Sequence, residues 1–243
     1  YVPAPPPSPP SPPSPPSLPP PCAEEVDLVM VMDKSGSIGA QWSTVVDIAR
    51  QVVGEFKMGA TAAQIGLVLF DHVVTTISSL TSSLSTAQTA LDTMSQQSAG
   101  GQTYLSGGIQ AGQQVLTGLN ARANVPKVML LESDGVQTTG GNDATAIAAA
   151  NDAKAAGTKI FVVAFNDPAS ATLDSIASPP SSENVLFKTT AKEILDIMLD
   201  GRFSACVTSV DVPRSPPPSP PSPPSSPPPS PPPPPPSPPP SPP

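Results

Sequence analysis

The stretch VDLVMVMDKSGS, Val26 to Ser37, decides how the rest of this chain is read. Val26–Met32 is a near-continuous apolar run of strand length, which is the pattern of a strand buried on both faces of a parallel sheet. The loop that follows carries Asp33, Ser35 and Ser37 at alternate positions. On an extended turn both serine hydroxyls face one side, and Gly36 lets the turn close tightly. The same Asp-x-Ser-x-Ser spacing also describes a turn leading into a helix N-cap, because Asp and Ser favour both. The loop by itself therefore leaves two readings open.

Working outward from this stretch, strands and helices alternate. Gln41–Phe56 places Trp42, Val45, Ile48, Ala49, Val52, Val53 and Phe56 at helical spacing. Ile65–Phe70 is a second buried strand, and Val73–Ser79 follows it through Asp71-His72, which predicts an antiparallel edge hairpin. Thr86–Met94 and Tyr104–Leu119 read as helices, Lys127–Leu131 as a strand, and Asp143–Ala156 as an Ala-rich helix stopped by Gly157. Lys159–Phe165 and Val185–Phe187 are further strands, and Ala191–Phe203 is a closing helix. This alternation predicts an α/β fold with a doubly wound, mostly parallel sheet and one antiparallel edge strand. Ligands of such sheets bind outside the carboxyl ends of the strands. The rule selects the loops after Met32, at Gly100-Gly101 and after Leu131.

Those loops hold a coherent donor set. Gly100-Gly101-Gln102-Thr103 adds a third hydroxyl at the start of a helix, and Ser133-Asp134-Gly135 adds a second carboxylate after a strand. Mg²⁺ takes six oxygen ligands and keeps several waters. Asp33, Ser35, Ser37, Thr103 and Asp134 match that chemistry. Few formal charges around the ion leave it electrophilic toward an outside carboxylate. Lys34 reads as a solvent-facing charge beside the ion. His72 reads as a solvated turn residue. Asp71, Glu132, Asp167 and Glu183 fit either a structural role or a place beside the site.

Three loops in this order and strand context resemble the von Willebrand factor type A domain, over nearly the whole of Val26 to about Phe203. The family more often has Thr where Ser133 stands. The resemblance implies a divalent cation, Mg²⁺ first with Mn²⁺ or Ca²⁺ as alternatives, and a protein or glycoprotein partner that docks an Asp or Glu on it. The DxSxSxxxDD extension of integrin β subunits is absent, because Ile38-Gly39-Ala40-Gln41 follows Ser37. No adjacent second metal site is expected.

Composition divides the chain. Of its 39 prolines, 13 lie in residues 1–21 and 22 in residues 213–243. Both segments are built of Ser-Pro-Pro and Ser-Pro-Pro-Pro units. Proline fixes φ and removes the N–H donor, which leaves polyproline II as the regular conformation. At about 3.1 Å per residue the C-terminal segment would extend on the order of 95 Å and the N-terminal one on the order of 60 Å. The expected organisation is a rod at 1–21, a globular domain at 22–212 and a rod at 213–243. The repeat also suits a linker or a ligand for aromatic-lined grooves. It resembles the hydroxyproline-rich glycoproteins of plant and green-algal walls, including pherophorin-like proteins. That resemblance implies O-glycans on hydroxyproline and on serine, neighbouring matrix glycoproteins as partners, and an extracellular wall, matrix or surface-appendage location.

The central region holds 19 acidic residues against 10 Lys and Arg. That balance disfavours nucleic acid and anionic membranes, which need positive surface. No apolar run approaches the roughly 20 residues of a membrane span. Cys22 and Cys206 bracket the predicted domain. Some von Willebrand A domains close their ends with a disulfide, and an oxidising location favours a Cys22–Cys206 bond over two free thiols. No Ser–His or Cys–His pair and no HExxH helix is present, so no enzyme is expected. Three functions remain: a metal-dependent adhesion domain, a purely structural bead between rods, and a subunit of an enzyme complex. The proline rods argue against the last.

Overall fold

The computed structural model describes residues 25–165 and 170–187. The chain divides into two compact units, 1–208 and 209–243, and the second lies outside the described residues. The proline-rich segments, Cys22, Cys206, Asp167 and the helix expected at 191–203 also lie outside them.

β1 (Val26–Asp33) is buried along its whole length, as a strand covered on both faces must be. A 3-10 turn, Gly36–Gln41, leads into α1 (Trp42–Glu55). β2 (Ala63–Phe70) and β3 (Val74–Thr81) form the expected hairpin, followed by α2 (Leu84–Ser95) and α3 (Leu105–Thr117). β4 (Lys127–Ser133), α4 (Asp143–Ala155) and β5 (Thr158–Ala164) come next. Gly157 ends α4 at φ +88°, a conformation that costs glycine nothing. Two short helices, α5 (Ala171–Ile176) and α6 (Ser181–Asn184), precede β6 (Val185–Phe187).

The sheet runs β3-β2-β1-β4-β5-β6. All neighbours are parallel except β2 and β3. Alternation along β1 divides the core. Leu28, Met30 and Met32 face a cluster with Val45, Ile48 and Val52 of α1 and Leu91 and Met94 of α2. Val29 and Val31 face a second cluster with Leu105 and Ile109 of α3 and the small Ala146, Ala150 and Ala153 of α4. The chain leaves β1 for β2 on one side and returns to β4 on the other, so β1 and β4 are the strands at which the winding reverses. The loops after them therefore diverge and leave a crevice at their carboxyl ends.

The opposite end of β1 is anchored by charge. Asp27 is fully buried. It accepts hydrogen bonds from the Arg122 backbone N at 2.9 Å and from Arg122 Nε at 2.8 Å, and it pairs with Lys127. Arg122 Nη1 and Nη2 also donate to the Ala60 and Val26 carbonyls. A buried carboxylate is tolerable only when paired in this way.

Candidate metal centre

The loop after β1 is folded by its own aspartate. Asp33 Oδ1 accepts the Ser35 N–H at 2.8 Å, and Asp33 Oδ2 accepts the Ser133 hydroxyl at 2.7 Å. The second bond ties the end of β4 to the end of β1. Ser35 occupies the N-cap position of the 3-10 turn, yet its hydroxyl makes no capping bond. Instead Ser35 Oγ lies 3.1 Å from Ser37 Oγ. This separates the two readings of Asp-x-Ser-x-Ser: the serine that would cap a helix turns its oxygen toward the other serine.

Three backbone bonds bring the remaining loops in. Gly100 N donates to the Lys34 carbonyl at 2.7 Å, Gly36 N to the Gly101 carbonyl at 3.0 Å, and Lys34 N to the Phe70 carbonyl at 2.8 Å. Thr103, buried just before α3, follows directly on that Gly100-Gly101 contact. Asp134 is also buried, and its Oδ1 has no hydrogen-bond partner. Burial with such an unpaired oxygen is costly in the absence of a cation.

The electrostatics agree with that geometry. Burial pushes the Asp33 carboxyl up to about 6, against the hydrogen bonds from Ser133 and Ser35, and the nearby Asp134 charge adds to the rise. Two buried carboxyls close together favour a bound proton or a bound cation. Among the described residues no three His, Cys, Asp or Glu side chains form a metal cluster. The residues expected as donors carry two carboxylates and three hydroxyls, a hard oxygen set of low formal charge of the kind that suits Mg²⁺ or Mn²⁺.

Lys34 departs from the sequence expectation. It is not a solvent-facing charge: it pairs with Asp71 at the end of β2, and its side chain is 16% exposed. Burial raises the Asp71 carboxyl, but hydrogen bonds from Lys34 and from Val73 N outweigh it and hold the group below its usual range. The pair draws the ammonium charge toward the β2–β3 turn, so less of it opposes a cation in the crevice. His72 is exposed, as a turn residue should be, with Nδ1 3.2 Å from Asp71 Oδ1. Nothing in the loop motif signals Asp71. Its partnership depends on β2 lying beside β1. Glu183 lies in α6 and Glu132 is enclosed in the core, so neither joins the donor set.

Comparison with known proteins places this architecture. The fold matches proximal thread matrix protein 1 from the mussel byssus at 24% identity and a TM-score of 0.61, covering 76% of this chain and 47% of that one. A form of the same mussel protein with a zinc-occupied MIDAS motif matches at 25% identity and a TM-score of 0.59, covering 74% and 45%. Manganese-loaded TRAP protein of Plasmodium vivax matches at 18% identity and a TM-score of 0.63, covering 73% of each chain. This chain thus spans about half the length of the mussel chains it resembles. Comparison with curated protein sequences gave no match. The model of the von Willebrand factor type A domain matches residues 27–199. With that match over most of its length, the chain belongs to the von Willebrand factor type A domain family.

Proposed function

We propose that this protein is a non-enzymatic, extracellular adhesion protein whose von Willebrand A domain docks a partner's carboxylate on a divalent cation. The residues that would hold the ion are Asp33, Ser35, Ser37, Thr103 and Asp134. When bound, the ion supplies an electrophilic coordination position for an Asp or Glu of a protein or glycoprotein ligand. Asp33 organises the loop through Ser35 N and Ser133, while Asp134 Oδ1 is left without a hydrogen-bond partner. The observation that carries the reading is Asp134 Oδ1, a buried carboxylate oxygen without a hydrogen-bond partner, close enough to Asp33 to raise its pKa. The relatives that carry manganese or zinc support the choice of a divalent ion.

The organisation we propose is a globular domain over 22–212, closed by Cys22–Cys206, between polyproline rods at 1–21 and 213–243. Rods of hydroxylated, O-glycosylated proline would space the domain within a wall, matrix or appendage. The test is retention of the purified protein on an extracted matrix or wall fraction. Retention should require Mg²⁺ or Mn²⁺, and both EDTA and Asp33→Ala should abolish it. Retention that survives both would support the structural bead held by its rods and glycans. Mass spectrometry of the native protein reads hydroxylation, glycans and the disulfide together.

A further inference from the structure

The loop between β4 and α4 is bound to the candidate centre by contacts that no motif signals. Thr138 Oγ1 accepts the Thr103 N–H at 2.8 Å. Thr138 N and Thr139 N both donate to the Thr103 carbonyl, at 3.0 and 3.2 Å. Both backbone groups of Thr103 are thereby held from one loop, 35 residues further along the chain. The next residue is clamped as well. The Tyr104 ring lies over Gly140, where φ is +72° and a Cβ would collide with the ring. Gln137 completes the fixation. Its Oε1 accepts Ser106 N at 2.6 Å in the first turn of α3, a helix with no side-chain cap at its own N-cap, Tyr104. Its Nε2 donates to the Asn142 carbonyl at 3.0 Å, and its backbone N to Asp143 Oδ1 at 3.1 Å.

Most of these contacts are shared between function and folding. Thr138 is the exception, because it is exposed and its hydroxyl accepts from a backbone group of a buried residue. Replacing that hydroxyl by a methyl removes an acceptor and little packing. We propose that Thr138 is a positioning residue for the centre: its hydroxyl fixes the Thr103 backbone so that the third hydroxyl donor is set in place before a cation arrives. This rests on the reading of Thr103 as an ion ligand. A preset ligand lowers the ordering cost of binding, so losing the brace should appear in affinity.

The test is calorimetric titration of the metal-free protein with Mn²⁺ and with Mg²⁺. Thr138→Val should bind both about 3- to 10-fold more weakly, the loss expected for one hydrogen bond. Thr138→Ser, which restores the hydroxyl, should bind as the wild type does, and Thr103→Val should bind far more weakly than either. Backbone hydrogen exchange of the metal-free protein gives an independent reading: the Thr103 amide should exchange faster in Thr138→Val and not in Thr138→Ser. Equal affinities for wild type and Thr138→Val, with Thr103→Val impaired, would overturn the positioning role and leave the site intact. A wild type that binds neither ion would overturn the site reading, and the proposal with it.

Discussion

Glu132 is a carboxyl enclosed in the core of this fold. It lies in β4, in register with Met32 of β1 and Val163 of β5, both fully buried. Its own exposure is 0%, and neither carboxyl oxygen has a hydrogen-bond partner. Burial therefore pushes its pKa well above the ordinary 4.5. A carboxyl held neutral when its unfolded form would be ionised costs stability that grows with pH. Between pH 4.5 and pH 7 that cost grows to at most about 3 kcal/mol. The sign follows from the raised folded value: the protonated group's contribution is complete below the unfolded pKa and is lost as pH rises toward the folded one. The unpaired polar atoms add about 1–3 kcal/mol that no pH removes. Glu132→Leu, similar in volume, should therefore stabilise the domain by about 2–5 kcal/mol at pH 7. At about 2–4 °C per kcal/mol for a domain of this size, the midpoint should rise by roughly 5–15 °C. Denaturant unfolding in EDTA at pH 7 and pH 5 measures the difference. The advantage should shrink at the lower pH, by up to roughly 3 kcal/mol. A variant that is less stable than the wild type, or whose advantage does not change with pH, would show that the carboxyl is not neutral and unpaired, and the reasoning would fail.

Two further outcomes follow from the charged groups. With Asp33 at about 6 in the metal-free protein, protons and cations compete for one carboxyl, so the thermal shift produced by Mn²⁺ should shrink as pH falls through 6; scanning fluorimetry from pH 5 to 7.5 reads this, and a constant shift would argue that Asp33 does not serve the ion. Asp27→Ala strands the Arg122 and Lys127 charges at the far end of β1 and should cost about 3 kcal/mol by chemical denaturation, while Mn²⁺ affinity of the folded protein stays at the wild-type value.

Much of this architecture is legible in one dimension because its causes are local. A strand buried on both faces must be apolar throughout, and Val26–Met32 is; an amphipathic helix must repeat at 3.6 residues, and Trp42–Glu55 does. The hairpin through Asp71-His72 follows from two strands separated by a turn too short for a crossover. The sequence is less legible where a local pattern is weak. The helices Ala171–Ile176 and Ser181–Asn184 have too few residues for a period to emerge. The 3-10 turn Gly36–Gln41 hides behind glycines that would normally mark a loop.

The candidate site shows the same division. Asp33, Ser35, Ser37, Thr103 and Asp134 are legible as candidates because the carboxyl-end rule selects their loops and because the three loops resemble those of the von Willebrand A family. Their environment was not. That Asp33 spends both oxygens on Ser35 and Ser133 depends on β1 and β4 lying side by side. Lys34 finds Asp71 because β2 is the other neighbour of β1, and Thr103 is braced by Thr138 because two loops far apart in sequence meet above the sheet. Composition, periodicity and a spaced set of oxygen donors suffice to specify the elements and the chemistry available, since these depend on each residue and its near neighbours. Which charges are paired, which carboxyl is stranded in the core and which hydroxyl holds the loop depend on contacts between segments 30 to 100 residues apart, and only the packed sheet brings those segments together.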